Sequence, residues 1–238
     1  MWTSVISIDK SLKAELDFLV SKLSKIKNLS FAVEESDDRT FVHIAALCDY
    51  ADAVSREINA ILVELYLCRM KLSYFLKRLR YKSFGYALAA LVSSLTHFDR
   101  EFEEAVILRS LAEVAEYSVD GIFNFRLKRL HQNWEELAEL SNNLIAVADN
   151  DEDIYNVSSF VTGTRREKLV LTLLTNNGKA VLKNAYADEL IDIDAVFPDE
   201  HHNLIFTLIK ERPDEIELAA KIPDELINCL RHIAKISV

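Results

Sequence analysis

Three observations predict an α+β fold in which helices dominate. Four glycines and three prolines serve all 238 residues, against roughly 12% for the two together in ordinary chains, so long stretches run without a helix breaker. The first 46 residues alternate short β-rich runs with one helical period, and the residues beyond about 168 do so again. Between them, apolar residues recur at three- and four-residue steps. The scarcity of turn formers excludes an all-β sandwich or barrel, and an apolar share of 50% excludes disorder. The chain is long enough to bury a sizeable core. On this reading it divides into an N-terminal β-α-β-β unit over 1–48, a central helical body over 49–153 and a small α/β unit over 154–238.

Residues 2–8 are short and β-prone, and predict a first strand. Asp9 then caps a helix carrying Leu12, Leu16, Leu19, Val20, Leu23 and Ile26, which runs to about Lys27 with lysines in its last turn. Leu29 to Glu34 and Thr40 to Ala46 predict a hairpin around the polar turn Glu35 to Arg39. From Asp49 the stripe Val54, Ile58, Ile61, Leu62, Leu65, Leu72, Leu76 and Leu79 meets no Gly or Pro before Gly85, which predicts one long helix. Helices over about 84–97, 99–116 and 118–148 come next, with Asp99 and Ser118 as N-caps.

The acidic break Asp149 to Asp153 and a short helical turn lead to a β-rich run, Leu169 to Thr175. Asn176-Asn177-Gly178 is a hairpin signal, with Ala180 to Lys183 pairing back. Pro198 and Pro223 open helices ending near Lys210 and His232, and Pro213 precedes a strand from Glu215 to Ala219. Ala234 to Val238 predicts a last strand.

Cys48, Cys68 and Cys229 are an odd number of widely spaced thiols, which suits neither a disulfide framework nor a Cys-x-x-Cys site and points to a reducing compartment. The opening residues lack a basic n-region and do not read as a signal peptide. The longest uncharged run, Ser83 to Phe98, is 16 residues, short of a membrane span. A cytoplasmic protein with no transmembrane segment is expected.

Chemistry is sparse. With glycines only at 85, 121, 163 and 178, no dinucleotide, P-loop or nucleophile-elbow motif can be written, and no zincin motif occurs. His97 with Glu101 and His131 with Glu135 have one-turn spacing, but the first pair spans an expected helix break and the di-iron Glu-x-x-His spacing is missing. Asp199-Glu200-His201-His202 occupies a helix start, where capping explains the acids. No metal, cofactor or catalytic residue is assigned.

Charge is the sharpest feature. Net charge is −10, distributed as 13 basic and 11 acidic groups over 1–83, 5 and 14 over 84–153, and 10 and 13 over 154–238. Glu64 is followed by no acid until Asp99, and Arg69, Lys71, Lys77, Arg78, Arg80 and Lys82 fall between. A helix presenting these residues with Tyr66, Tyr74 and Tyr81 is a candidate surface for nucleic acid or anionic lipid. The favoured reading is that their stems lie along a packed helix and face the acidic helices after Asp99, since a pI near 5.1 argues against a dedicated nucleic-acid binder.

Tyr117-Ser118-Val119-Asp120-Gly121-Ile122-Phe123-Asn124-Phe125-Arg126-Leu127-Lys128 resembles the Gly-Phe-x-x-Phe-Arg-Leu-Lys segment of the YtxC-like sporulation proteins of endospore-forming Firmicutes. Leu204 to Ile209 followed by Pro213 to Leu218 resembles their C-terminal part, and the order of elements agrees. Members of that family finish with a cysteine-containing segment, whereas only Cys229 stands near Ile236-Ser237-Val238 here. The resemblance implies a part in spore formation without a known activity, substrate or cofactor.

The expected function is a non-enzymatic interaction or scaffold protein in endospore formation, with an unidentified protein partner and a homodimer left open. Arg126 and Lys128 join the candidate binding residues, and Arg126 is expected to pair with Glu113 or Glu116. The alternatives are a nucleic-acid or anionic-surface module using 69–82 and an enzyme whose site no motif discloses.

Overall fold

The computed structural model describes residues 1–81, 83–114, 116–162, 169–176, 179–187 and 189–237. It is α+β and mostly helical, with two small sheets. The residues form two compact units, each built from two stretches of chain: Met1–Ser73 with Asp99–Glu136, and Tyr74–Phe98 with Leu137–Val238.

In the first unit β1 (Trp2–Asp9), β2 (Leu29–Glu35) and β3 (Arg39–Ala46) form an antiparallel sheet. Ile6 and Ile8 on β1 and Val42 and Ile44 on β3 turn the same face inward, as a two-residue period requires. The helix α1 (Lys13–Leu23) is shorter than its periodicity predicts. Asp9 does not cap it; its carboxylate accepts from the Ser11 N–H and hydroxyl and folds the turn before the helix. Asn28, with φ 62°, makes the left-handed exit to β2 that an Asn tolerates.

The helix expected to run unbroken to Gly85 is interrupted and ends early. After α2 (Ala51–Glu64) comes a π-helical segment, Leu65–Met70, and then α3 (Lys71–Arg78). A π turn inserts a residue and rotates the helix beyond it, so Leu65, Tyr66, Leu67, Cys68, Met70 and Lys71 are all buried, where an α-helix would expose some of them.

A second interruption comes after α5 (Arg100–Ala112). Tyr117–Ser118 forms β4, parallel to β1 and not foreseen from the sequence, since two residues carry no period. Ser118 caps the single turn α6 (Val119–Gly121) by accepting from the Gly121 N–H. A Cβ at Gly121 would stand 2.6 Å from that hydroxyl, so the cap requires glycine here. The π-helical segment Ile122–Arg126 precedes α7 (Lys128–Val147), splitting the helix expected over 118–148. Arg39, placed by sequence in a polar turn, instead grips Asp120 through both nitrogens at 2.7 and 3.1 Å and reaches the hydroxyls of Ser7 and Ser118.

In the second unit α4 (Tyr86–His97) is buried from Ala87 onward and packs on α8 (Asp151–Thr162) and α9 (Glu200–Glu211). The expected short turn after the acidic break is therefore a full helix. Strands β5 (Val170–Asn176), β6 (Lys179–Asn184), β7 (Leu190–Ile191), β8 (Glu215–Leu218) and β9 (Lys235–Ser237) pair in the order β7-β6-β5-β8-β9. The β5–β6 hairpin pairs as expected, while Asn177 and Gly178 of its turn lie outside the described residues. β8 and β9 run parallel to their neighbours, and α9 and α10 (Asp224–Arg231) make the connections a parallel pair needs. Asp199, not Pro198, caps α9, and Arg212 ends it in the left-handed region at φ 51°.

Candidate functional site

The basic run does not form one solvated face. The Arg69 guanidinium lies over the Phe18 ring at 4.7 Å. Lys71 is withdrawn completely: its ammonium is 2.6 Å from Glu103 Oε2, and the Trp134 indole N–H donates to Glu103 Oε1 at 2.6 Å. Arg78 stacks 3.5 Å above Tyr74. Lys77 and Arg80 are exposed, and the backbone around Arg80 is held by Asn142, whose side chain accepts from the Arg80 N–H and donates to the Arg78 carbonyl. Lys82 lies outside the described residues. Lys71 thus finds an acid on the helix after Asp99, as the charge balance suggested, and the aromatic partners account for Arg69 and Arg78.

The Lys71 site places two ionisable side chains within the first unit's core. Burial pushes the Glu103 carboxyl up and the Lys71 ammonium down, and their mutual attraction opposes both shifts. No spacing signal links residues 32 positions apart, so the pair was invisible in the sequence.

Arg126 and Lys128 sit at the end of the second π-helical segment, both exposed. Arg126 reaches Glu113 at 3.4 Å, with the two side chains 42% and 64% exposed. Within the same segment two phenylalanines part company. Phe123 is buried against Tyr66, His131 and Trp134, whereas Phe125 is 82% exposed. The wide π turn, closed by the Leu127 N–H to the Ile122 carbonyl, holds Phe125 and Arg126 outward together, and such turns recur at functional positions.

Of the residues considered for metal binding, His97 and His131 pack against aromatic rings and Asp199 caps a helix. His97 ends α4 with its ring 4.7 Å from Phe206, His131 packs on Phe123 and Trp134, and Asp199 Oδ1 accepts from the N–H groups of His201 and His202. Among the described residues no group of three or more His, Cys, Asp or Glu side chains is placed to hold a metal ion, and no helix is long and apolar enough to cross a membrane. Comparisons with protein-family models, curated proteins and solved structures each found no match to this chain.

Proposed function

We propose that this chain is a non-enzymatic interaction protein that recognises a protein partner through the knuckle Phe125–Arg126 with Lys128 beside it, and that it acts in endospore formation. The observation that carries the reading is the 82% exposure of Phe125 on a segment whose other aromatic, Phe123, is buried. An aromatic ring beside an arginine is the pairing enriched in the anchors of protein interfaces. The process rests on the resemblance of residues 117–128 to the YtxC-like proteins.

The test is a strain lacking this protein, complemented with the wild type or with Phe125→Ser, and scored for heat-resistant spores. The wild type restores the count. Phe125→Ser, which melts as the wild type does because its side chain leaves no cavity, fails to restore it and loses the partner recovered by affinity purification from sporulating cells. Unchanged spore counts in the deletion overturn the process, and full rescue by Phe125→Ser overturns the surface.

A further inference from the structure

A cleft of about 520 Å³ opens in the second unit beside the first turns of α4, α8 and α10. Its walls are aromatic. Phe84 and Tyr86 each stand edge to face with His202, at 5.0 and 5.7 Å between ring centres, and Tyr155 lines it while stacked on His232 at 4.6 Å. Asp151 and Glu225 supply the carboxylates, both exposed, and no lysine or arginine is among the described residues that line it.

Helix starts favour acids, but capping does not use up Asp151: the α8 start is held by Asn150, whose side-chain oxygen accepts from the N–H groups of Glu152 and Asp153. Burial holds His202 below its usual 6.5, which disfavours positive charge on the one basic group among the described lining residues. Burial raises the Tyr86 and Tyr155 hydroxyls further above their usual 10.0, so the lining tyrosines stay uncharged. Aromatic walls and carboxylates attract the same class of ligand, an organic cation, and the carboxylates repel phosphates and other carboxylates. The volume admits an ammonium head with a short tail.

We propose that this cleft binds an organic ammonium cation, a function that goes beyond the Phe125 surface and is independent of it. The cation is either a free alkylammonium or the lysine side chain of a partner.

The test is calorimetric titration of the full chain at about pH 8, where His202 is neutral, with three probes: choline, its uncharged carbon isostere 3,3-dimethylbutan-1-ol, and Nα-acetyl-lysine amide. At least one cation binds about tenfold or more tighter than the isostere and weakens as salt is added. Asp151→Asn with Glu225→Gln, made at exposed positions, keeps a cooperative melt lowered only slightly by the lost helix-start charges and removes that preference. Tighter binding of choline assigns a free alkylammonium, and tighter binding of the lysine amide assigns a partner's side chain. The proposal is overturned if neither cation exceeds the isostere, or if the double variant binds as the wild type does.

Discussion

The Lys71 ammonium and the Glu103 carboxylate meet at 2.6 Å with side chains 0% and 4% exposed, and Trp134 takes the second carboxylate oxygen. Lys71 and the helix α5, both in the first unit, are thereby joined by a charge pair out of reach of water. A buried pair adds little net stability over an apolar replacement, but breaking it strands a charge. Lys71→Met should therefore cost about 3–5 kcal/mol, the usual penalty for an uncompensated buried charge. Adding Glu103→Gln, whose carbonyl still accepts from Trp134, should recover most of that loss. Chemical denaturation of both single variants and the double variant checks this.

A contrast in exposure sets a second expectation. The Arg126–Glu113 pair stands in solvent, so Arg126→Ala should change stability by less than about 0.5 kcal/mol. Arg39 is mostly enclosed and spans Asp120, Ser7 and Ser118, so Arg39→Ala should cost about 2 kcal/mol, in line with charge-assisted bonds lost in a half-buried site. Equal melting temperatures for the two variants would contradict the geometry.

Asp199 caps α9 with two bonds to backbone N–H groups. Asp199→Ala should destabilise the second unit by about 1 kcal/mol. Partial burial raises the Asp199 carboxyl, yet the N–H bonds and the nearby imidazoles outweigh it and leave the group below its usual 3.8. A lowered acid contributes stability that is full above 3.8 and is lost as pH falls through the lower folded value. The difference between wild type and Asp199→Ala should accordingly narrow below about pH 4.

His202 titrates in a different window. Burial lowers it below 6.5, and Asp199 offsets only part of the shift. The unfolded chain binds the proton more readily, so this contribution is complete above 6.5 and is lost as pH falls below it. Thermal melts should drop between about pH 7 and about pH 5, and His202→Gln should flatten that slope.

The three thiols differ in access. Cys48 is exposed and Cys68 and Cys229 are buried, and burial pushes the Cys229 thiol up to about 12. Titration with a thiol reagent should find one fast-reacting group in the native protein and three after denaturation. Fast labelling of Cys229 would mean that the core beneath Tyr86 opens.

Sequence by itself determined the elements that carry their own period or punctuation. The stripe from Val54 to Leu65, the β-prone runs of β1 and β3, the β5–β6 hairpin, and the caps at Ser118 and Asp199 were all legible because neighbours within one or two turns decide them. Tertiary structure decided the rest. The π turns at Leu65–Met70 and Ile122–Arg126 interrupt helices that the apolar spacing alone reads as continuous. The two-residue strand β4 exists only because β1 is there to pair with it. Glu103 and Asp120 became partners of Lys71 and Arg39, at separations of 32 and 81 residues, through packing that no local spacing encodes. The candidate surfaces divide the same way. Arg126 and Lys128 were named through the resembling segment 117–128, whereas the exposure of Phe125 and the cleft lined by Tyr86, Asp151, Tyr155 and Glu225 arise only when segments far apart in the chain are folded against one another.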